Sequence, residues 1–115
     1  MRQFHHVGLP TDEKQPGEIY VADTKVWITD PENHPHRVEY LRYEADSPVS
    51  GPLRELPHVA FATDDLGREI AGKNVILQPF RPMEDLTVAF VQEDGAVFEF
   101  MQWDEEPRPF GAQKQ

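Results

Sequence analysis

Two histidines and two glutamates recur at matching points of this chain. His6 opens the run His6-Val7-Gly8-Leu9-Pro10-Thr11-Asp12-Glu13, and His58 opens His58-Val59-Ala60-Phe61-Ala62-Thr63-Asp64-Asp65. Both runs read His, Val, small, large apolar, small, Thr, Asp, acid. Each is followed later by a glutamate among apolar residues, in Val38-Glu39-Tyr40-Leu41 and in Phe98-Glu99-Phe100-Met101, so that Glu39 follows His6 by 33 residues and Glu99 follows His58 by 41. A carboxylate flanked by apolar residues in mid-strand is costly unless it is paired or bound. Two imidazoles and two carboxylates form a nitrogen and oxygen site for one divalent metal ion such as Zn, Ni, Co, Mn or Fe. With water completing the shell, such a site is open and of the catalytic kind. A single strand glutamate usually faces water, and a single buried histidine usually meets a backbone carbonyl. The repetition of both is what favours the metal. Glu39 is the weakest of the four, because its polar strand neighbours Arg37 and Tyr43 would let it face solvent.

These side chains must be delivered by strands, and alternation decides which face receives them. In Phe4 to Leu9, Phe4, His6 and Gly8 fall on one face and His5, Val7 and Leu9 on the other. His6 is therefore the functional member of the pair, and His5 is expected to point the opposite way as an edge or structural residue. In His58 to Ala62, Val59 and Phe61 should pack under a cover, which sends His58, Ala60 and Ala62 to the open face. The last strand, Ala96 to Trp103, sends Phe98 and Phe100 to the covered face and Val97, Glu99, Met101 and Trp103 to the open one. The small residues Gly8, Ala60 and Ala62 leave room there.

The segments between complete the plan. Thr11 to Glu18 holds Pro16-Gly17 and almost no apolar residue, so it reads as a loop or single turn where a helix would stand. Ile19 to Ala22, Thr24 to Thr29 and Arg37 to Tyr43 read as strands. Asp30 to His36 is a turn cluster whose His34 and His36 are expected to be exposed polar residues. Thr63 or Asp64 can cap a helix that buries Leu66 and Ile70 and ends at Gly72. Val75 to Phe80 and Leu86 to Gln92 are strands, and Glu93-Asp94-Gly95 is a hairpin turn. The expectation is an α+β fold of two βαβββ modules, residues 3–44 and 57–103, with the first module's helix shortened or missing. A linker, 45–56, with Ser47-Pro48 and Gly51-Pro52 reads as a semi-extended crossing, and a tail, 104–115, should fray.

The 115 residues suit one domain, and each module is too small to bury a good core alone. The net charge of −10 argues against nucleic acid as a partner. No apolar run reaches the roughly 20 residues of a membrane span, and no basic-then-apolar start announces a secretory signal. The absence of cysteine excludes disulfides and thiolate chemistry, and a cytoplasmic location is expected.

In order and type, His6 to Asp12, Val38 to Leu41, Ser47-Pro48, Pro57 to Leu66, Val88 to Phe90 and Asp94 to Gln102 make the chain resemble the vicinal oxygen chelate superfamily, the glyoxalase, bleomycin-resistance and dioxygenase group. The likeness covers most of residues 4 to 103 and is closest to single-domain glyoxalase I-like or methylmalonyl-CoA epimerase-like members. It implies a cupped mixed sheet around one metal, with ligand positions on His6, Glu39, His58 and Glu99. It further implies a metal-dependent isomerase, epimerase or lyase acting on a small vicinally oxygenated substrate through an enediolate-type intermediate, with Glu99 moving the proton. Tyr43, Met101 and Trp103 would line the pocket, and Arg42 or Arg81 would hold an anionic group of the substrate. The chain departs from the family pattern in the first module, which lacks the usual helix. Two other functions fit the family: a non-catalytic, resistance-type binding protein, and an extradiol-type dioxygenase with Fe(II) on His6, His58 and Glu99. A homodimer is expected, because the short first module leaves sheet edges under-covered.

Overall fold

In the computed structural model, which describes residues 2–105, the β-branched and aromatic segments form one sheet of eight strands. They are β1 (Arg2–Pro10), β2 (Ile19–Val21), β3 (Val26–Ile28), β4 (Val38–Tyr43), β5 (His58–Thr63), β6 (Asn74–Met83), β7 (Leu86–Glu93) and β8 (Ala96–Trp103). Their spatial order is β2-β3-β4-β1-β5-β8-β7-β6. β1 runs parallel to β4, β5 runs parallel to β8, and the other neighbours are antiparallel. The mixed sheet curls into a half-barrel with few helices, so it has a concave and a convex face. Among the described residues no helix is long and apolar enough to cross a membrane.

The convex face carries the aromatic residues that alternation assigns to it. Phe61 stacks near Phe98 and Phe100, with ring centroids 6.4 and 6.1 Å away. A short helix, α2 (Leu66–Ile70), lays Leu66 and Ile70 over these rings and over Ala89 and Val91. Asp65 caps it, not Thr63 or Asp64: the Asp65 carboxylate accepts from the Arg68 amide at 3.1 Å. Thr63 Oγ1 accepts from the Asp65 amide instead, holding the cap residue in place. Gly72 follows the helix at φ +74°, the left-handed geometry that glycine adopts at no steric cost. The segment 11–18 forms only turns, so no helix covers the other half, and Val7, Leu9, Val38 and Tyr40 stay half-exposed there.

Two segments depart from the expected plan. β6 extends past both Pro79 and Pro82 to Met83, with its register slipping at three points. It can do so because it is an edge strand, where a missing amide donor is tolerated. The linker is more than a crossing. It contains one helical turn, α1 (Pro52–Glu55), with Pro52 at its first position, and it inserts Val49 and Leu53 into the apolar cluster of the concave face. Burying side chains of this size contributes about 1.5–3 kcal/mol each, so this segment is part of the core. The hairpin at Asp94-Gly95 has positive φ at both residues, 55° and 80°, as a tight antiparallel turn requires. Of the tail, Asp104 is tied back by its amide to the Asp85 carbonyl at 2.9 Å, and residues 106–115 lie outside the described residues.

Candidate metal centre

The four adjacent central strands, β4, β1, β5 and β8, each deliver one member of the repeated set. Register explains how they meet. Gly8 lies between Glu39 on β4 and His58 on β5. Ala60 lies between His6 on β1 and Glu99 on β8. Each long pair thus flanks a residue with little or no side chain, and the two rows lie two residues apart on the same face. The long side chains close over the gap left by Gly8 and Ala60. All four are buried.

One ligand atom from each of His6, Glu39, His58 and Glu99 lies within 4.8 Å of every other. Glu99 Oε1 stands 3.3 Å from His6 Nε2 and 3.1 Å from His58 Nε2. Glu39 Oε1 stands 3.3 Å and 3.7 Å from the same two nitrogens. Donors held at about 2.0–2.1 Å from a common ion are separated by roughly 3 to 3.5 Å at square and tetrahedral angles. Three of the four pairs fall within that spacing, and Glu39 Oε1 to His58 Nε2, at 3.7 Å, is slightly wider. His6 Nε2, His58 Nε2 and Glu99 Oε1 are also buried with no partner of hydrogen-bonding geometry. Buried polar atoms are almost always satisfied, so three orphans aimed at one point fit a cation. The cluster can hold a metal ion.

Electrostatics agree. Burial opposes a charged imidazole at His6, but the Glu39 and Glu99 carboxylates outweigh it and raise its pKa from 6.5 to about 10. Burial likewise opposes charge on Glu99, and its contacts with His58 and His6 overcome this and hold the carboxyl well below its usual range. The site thus carries concentrated negative charge offset by a proton, which is what an ion would replace.

His5 does not point away. β1 pairs Phe4 with Phe61 and His6 with Ala60, so His5 is an extra residue in a β-bulge. The bulge turns His5 to the concave side beside His6 and leaves Phe4 on the convex side, edge-on to Phe61 with centroids 6.5 Å apart. Strict alternation fails at this one step. No sequence signal marked it except the histidine doublet itself.

Above the cluster opens a cavity of about 230 Å³. Tyr43, Met101 and Trp103 line it, with Val49 and Leu53 from the linker and Phe90 from β7 among its other walls. Among the described residues that line it there is no lysine or arginine. Burial, then the Glu39 and Glu99 carboxylates, push the Tyr43 hydroxyl upward, so it stays protonated and able to donate. Arg42 and Arg81 are placed elsewhere. Arg42 forms a two-pronged pair with Glu18 at 2.9 and 2.7 Å and lies over the Trp27 ring. Arg81 is exposed and grips both Asp104 oxygens at 2.9 Å. His34 and His36 sit outside the cup, with ring centroids 5.9 Å apart. Sequence reasoning also missed Glu32, a buried acid in the turn after β3. Nothing in Asp30-Pro31-Glu32 distinguishes it from a solvated turn residue.

No family model matches the chain, and no curated protein matches it. Among solved structures, the hypothetical protein BH1468 from Bacillus halodurans C-125 is similar, with a TM-score of 0.69 at 18% identity over 94% of this chain and 99% of that one. At this identity the likeness speaks for the fold alone.

Proposed function

We propose that this protein is a metal-dependent isomerase, epimerase or lyase acting on a small molecule with two adjacent oxygens. One observation carries the reading: three orphaned buried atoms, His6 Nε2, His58 Nε2 and Glu99 Oε1, converge with Glu39 beneath an apolar cavity. The strand order supports the two-module reading and the vicinal oxygen chelate resemblance. Outward from the central β1/β5 pair it runs β1-β4-β3-β2 on one side and β5-β8-β7-β6 on the other. Each histidine sits on the innermost strand of its half, which is first in chain order, and each glutamate on the strand beside it, which is last in chain order. His6, Glu39, His58 and Glu99 would hold one divalent ion such as Zn, Ni, Co, Mn or Fe.

When bound, the ion supplies a Lewis acid for the two substrate oxygens. The chain's own residues supply the rest. Glu99 is ionised and can take a proton from one carbon and return it to the next. Tyr43 can donate a hydrogen bond to a substrate oxygen. The aliphatic and aromatic walls exclude water and accept an apolar substrate body. Their lack of lysine and arginine disfavours a phosphate- or carboxylate-bearing carrier. We also propose a homodimer, supported by the half-exposed Val7, Leu9, Val38 and Tyr40, and a cytoplasmic location, supported by the absence of cysteine. A monomer mass in gel filtration at micromolar concentration would count against the dimer.

The test of the chemistry is deuterium incorporation from D₂O into hydroxyacetone, followed by NMR, with protein reconstituted in turn with each metal. Metal-dependent exchange that is lost in Glu99→Gln supports the proposal. Tight binding of such molecules without exchange would indicate a binding protein instead, and oxygen uptake with catechol on the Fe(II) form a dioxygenase.

A further inference from the structure

His6 stands at the end of a buried chain of contacts that metal ligation alone does not require. His5 Nδ1 lies 2.8 Å from His6 Nδ1, and His5 Nε2 lies 3.1 Å from Glu32 Oε2. The His5 and Glu32 side chains are each only 7% exposed. Two further contacts fix them. The Asp30 carboxylate accepts from the Glu32 amide at 2.9 Å, pinning the 3-10 turn Pro31–Asn33. Arg37 Nε donates to the His5 carbonyl at 2.9 Å, pinning the bulge.

Glu32 sets the direction of the protons. An ionised carboxylate only accepts hydrogen bonds. His5 therefore carries its proton on Nε2, facing Glu32, and in the neutral ring Nδ1 is left as an acceptor. His6 Nδ1 must then donate to it. The one nitrogen of His6 left to bear a lone pair is Nε2, the atom at the centre of the four-residue cluster. We propose that His5 and Glu32 are positioning residues that lock His6 in the Nδ1–H tautomer and so present Nε2 to a metal. This rests on the metal-centre reading above. It also gives the bulge in β1 a purpose: without the extra residue His5 would face the convex side, and His6 Nδ1 would lose this acceptor. His58 is held differently, by the Phe90 ring at 5.2 Å and the open space over Gly8.

The test measures Zn²⁺ affinity of the full chain by competition with a chromophoric chelator, together with the ¹⁵N signature of His6 in the zinc-loaded protein. Loss of a partner hydrogen-bonded to a metal-ligating histidine costs about 10- to 100-fold in affinity. His5→Phe should weaken binding by that range and shift the His6 Nδ1 signal to that of an N–H without this acceptor. His5→Asn, whose amide oxygen can accept from His6 Nδ1, should recover most of the loss. Glu32→Ala should weaken binding about tenfold, and it decides the question if His5→Phe does not fold. Affinities within threefold of wild type, with the His6 Nδ1 signal unmoved, would overturn the lock and leave the metal centre standing. A folded wild-type protein that takes up no Zn²⁺, Ni²⁺ or Co²⁺ would overturn the metal reading, and the lock with it.

Discussion

Gly8 faces His58 directly across the β1/β5 pair, and a Cβ built on Gly8 would overlap the His58 imidazole. The backbone φ of Gly8 is not in the left-handed region, so this glycine is required by its neighbour's ring and not by its own conformation. Gly8→Ala should therefore push His58 off its position. The expected outcome is at least a tenfold loss of Zn²⁺ affinity, with a stability loss of about 1–3 kcal/mol from overpacking. Calorimetric zinc titration and a thermal melt of the variant check both.

Metal loading should release a proton at neutral pH. His6 is held at about 10 by Glu39 and Glu99 against the effect of burial, so it is protonated at pH 7 in the metal-free protein. An ion on Nε2 must displace that proton. Titration calorimetry in two buffers of different ionisation enthalpy should give close to one proton released per ion, with affinity falling as pH is lowered. Equal heats in the two buffers would contradict this.

The metal-free protein should lose stability on the alkaline side. The folded-state pKa of His6 is raised, so its contribution is complete below 6.5 and is lost as pH climbs towards about 10. Glu99 is lowered from 4.5, so its contribution is present above that value and fades as pH falls below it. Melting in EDTA should be highest between these limits. Stability should decline by a few kcal/mol at most up to pH 9, since a tenfold difference in proton affinity between folded and unfolded chains is worth about 1.4 kcal/mol. His6→Asn should flatten the alkaline decline. A wild-type curve that is flat from pH 6 to 9 would count against the buried His6 and carboxylate cluster.

Arg42 and Arg81 should be dispensable to the site. Arg42 is engaged with Glu18 and Trp27, and Arg81 with Asp104. Arg81→Ala should leave zinc affinity unchanged and shift stability by no more than about 0.5 kcal/mol. Arg42→Ala should also leave affinity unchanged, while giving up its packing on Trp27. A marked fall in binding of a small ligand by either variant would place a cation at the cavity after all.

Much of this arrangement could be read from the chain. The repeated His and Glu, the period-two strands around His58 and Glu99, and the aromatic stripe of Phe61, Phe98 and Phe100 are local patterns. Local pattern determines which face a strand residue takes. What could not be read depends on contacts distant in sequence or on one irregular step. The bulge at His5 is set by pairing with β5, and a single extra residue inverts everything upstream of it. Glu32 becomes a buried partner only because β1 passes beside its turn. Val49 and Leu53 carry no periodicity in a proline-rich linker, yet the curl of the sheet makes that linker a wall of the cup. Arg42 and Arg81 looked free because their partners, Glu18 and Asp104, are 24 and 23 residues away in sequence.

The most direct test of the central claim is metal stoichiometry. Protein prepared without a histidine tag, loaded with Zn²⁺ and desalted, should carry one ion per chain by inductively coupled plasma mass spectrometry. His58→Ala should carry less than about a tenth of that while keeping its circular dichroism spectrum. An empty wild-type protein, or a His58→Ala variant that retains the full ion, would contradict the account.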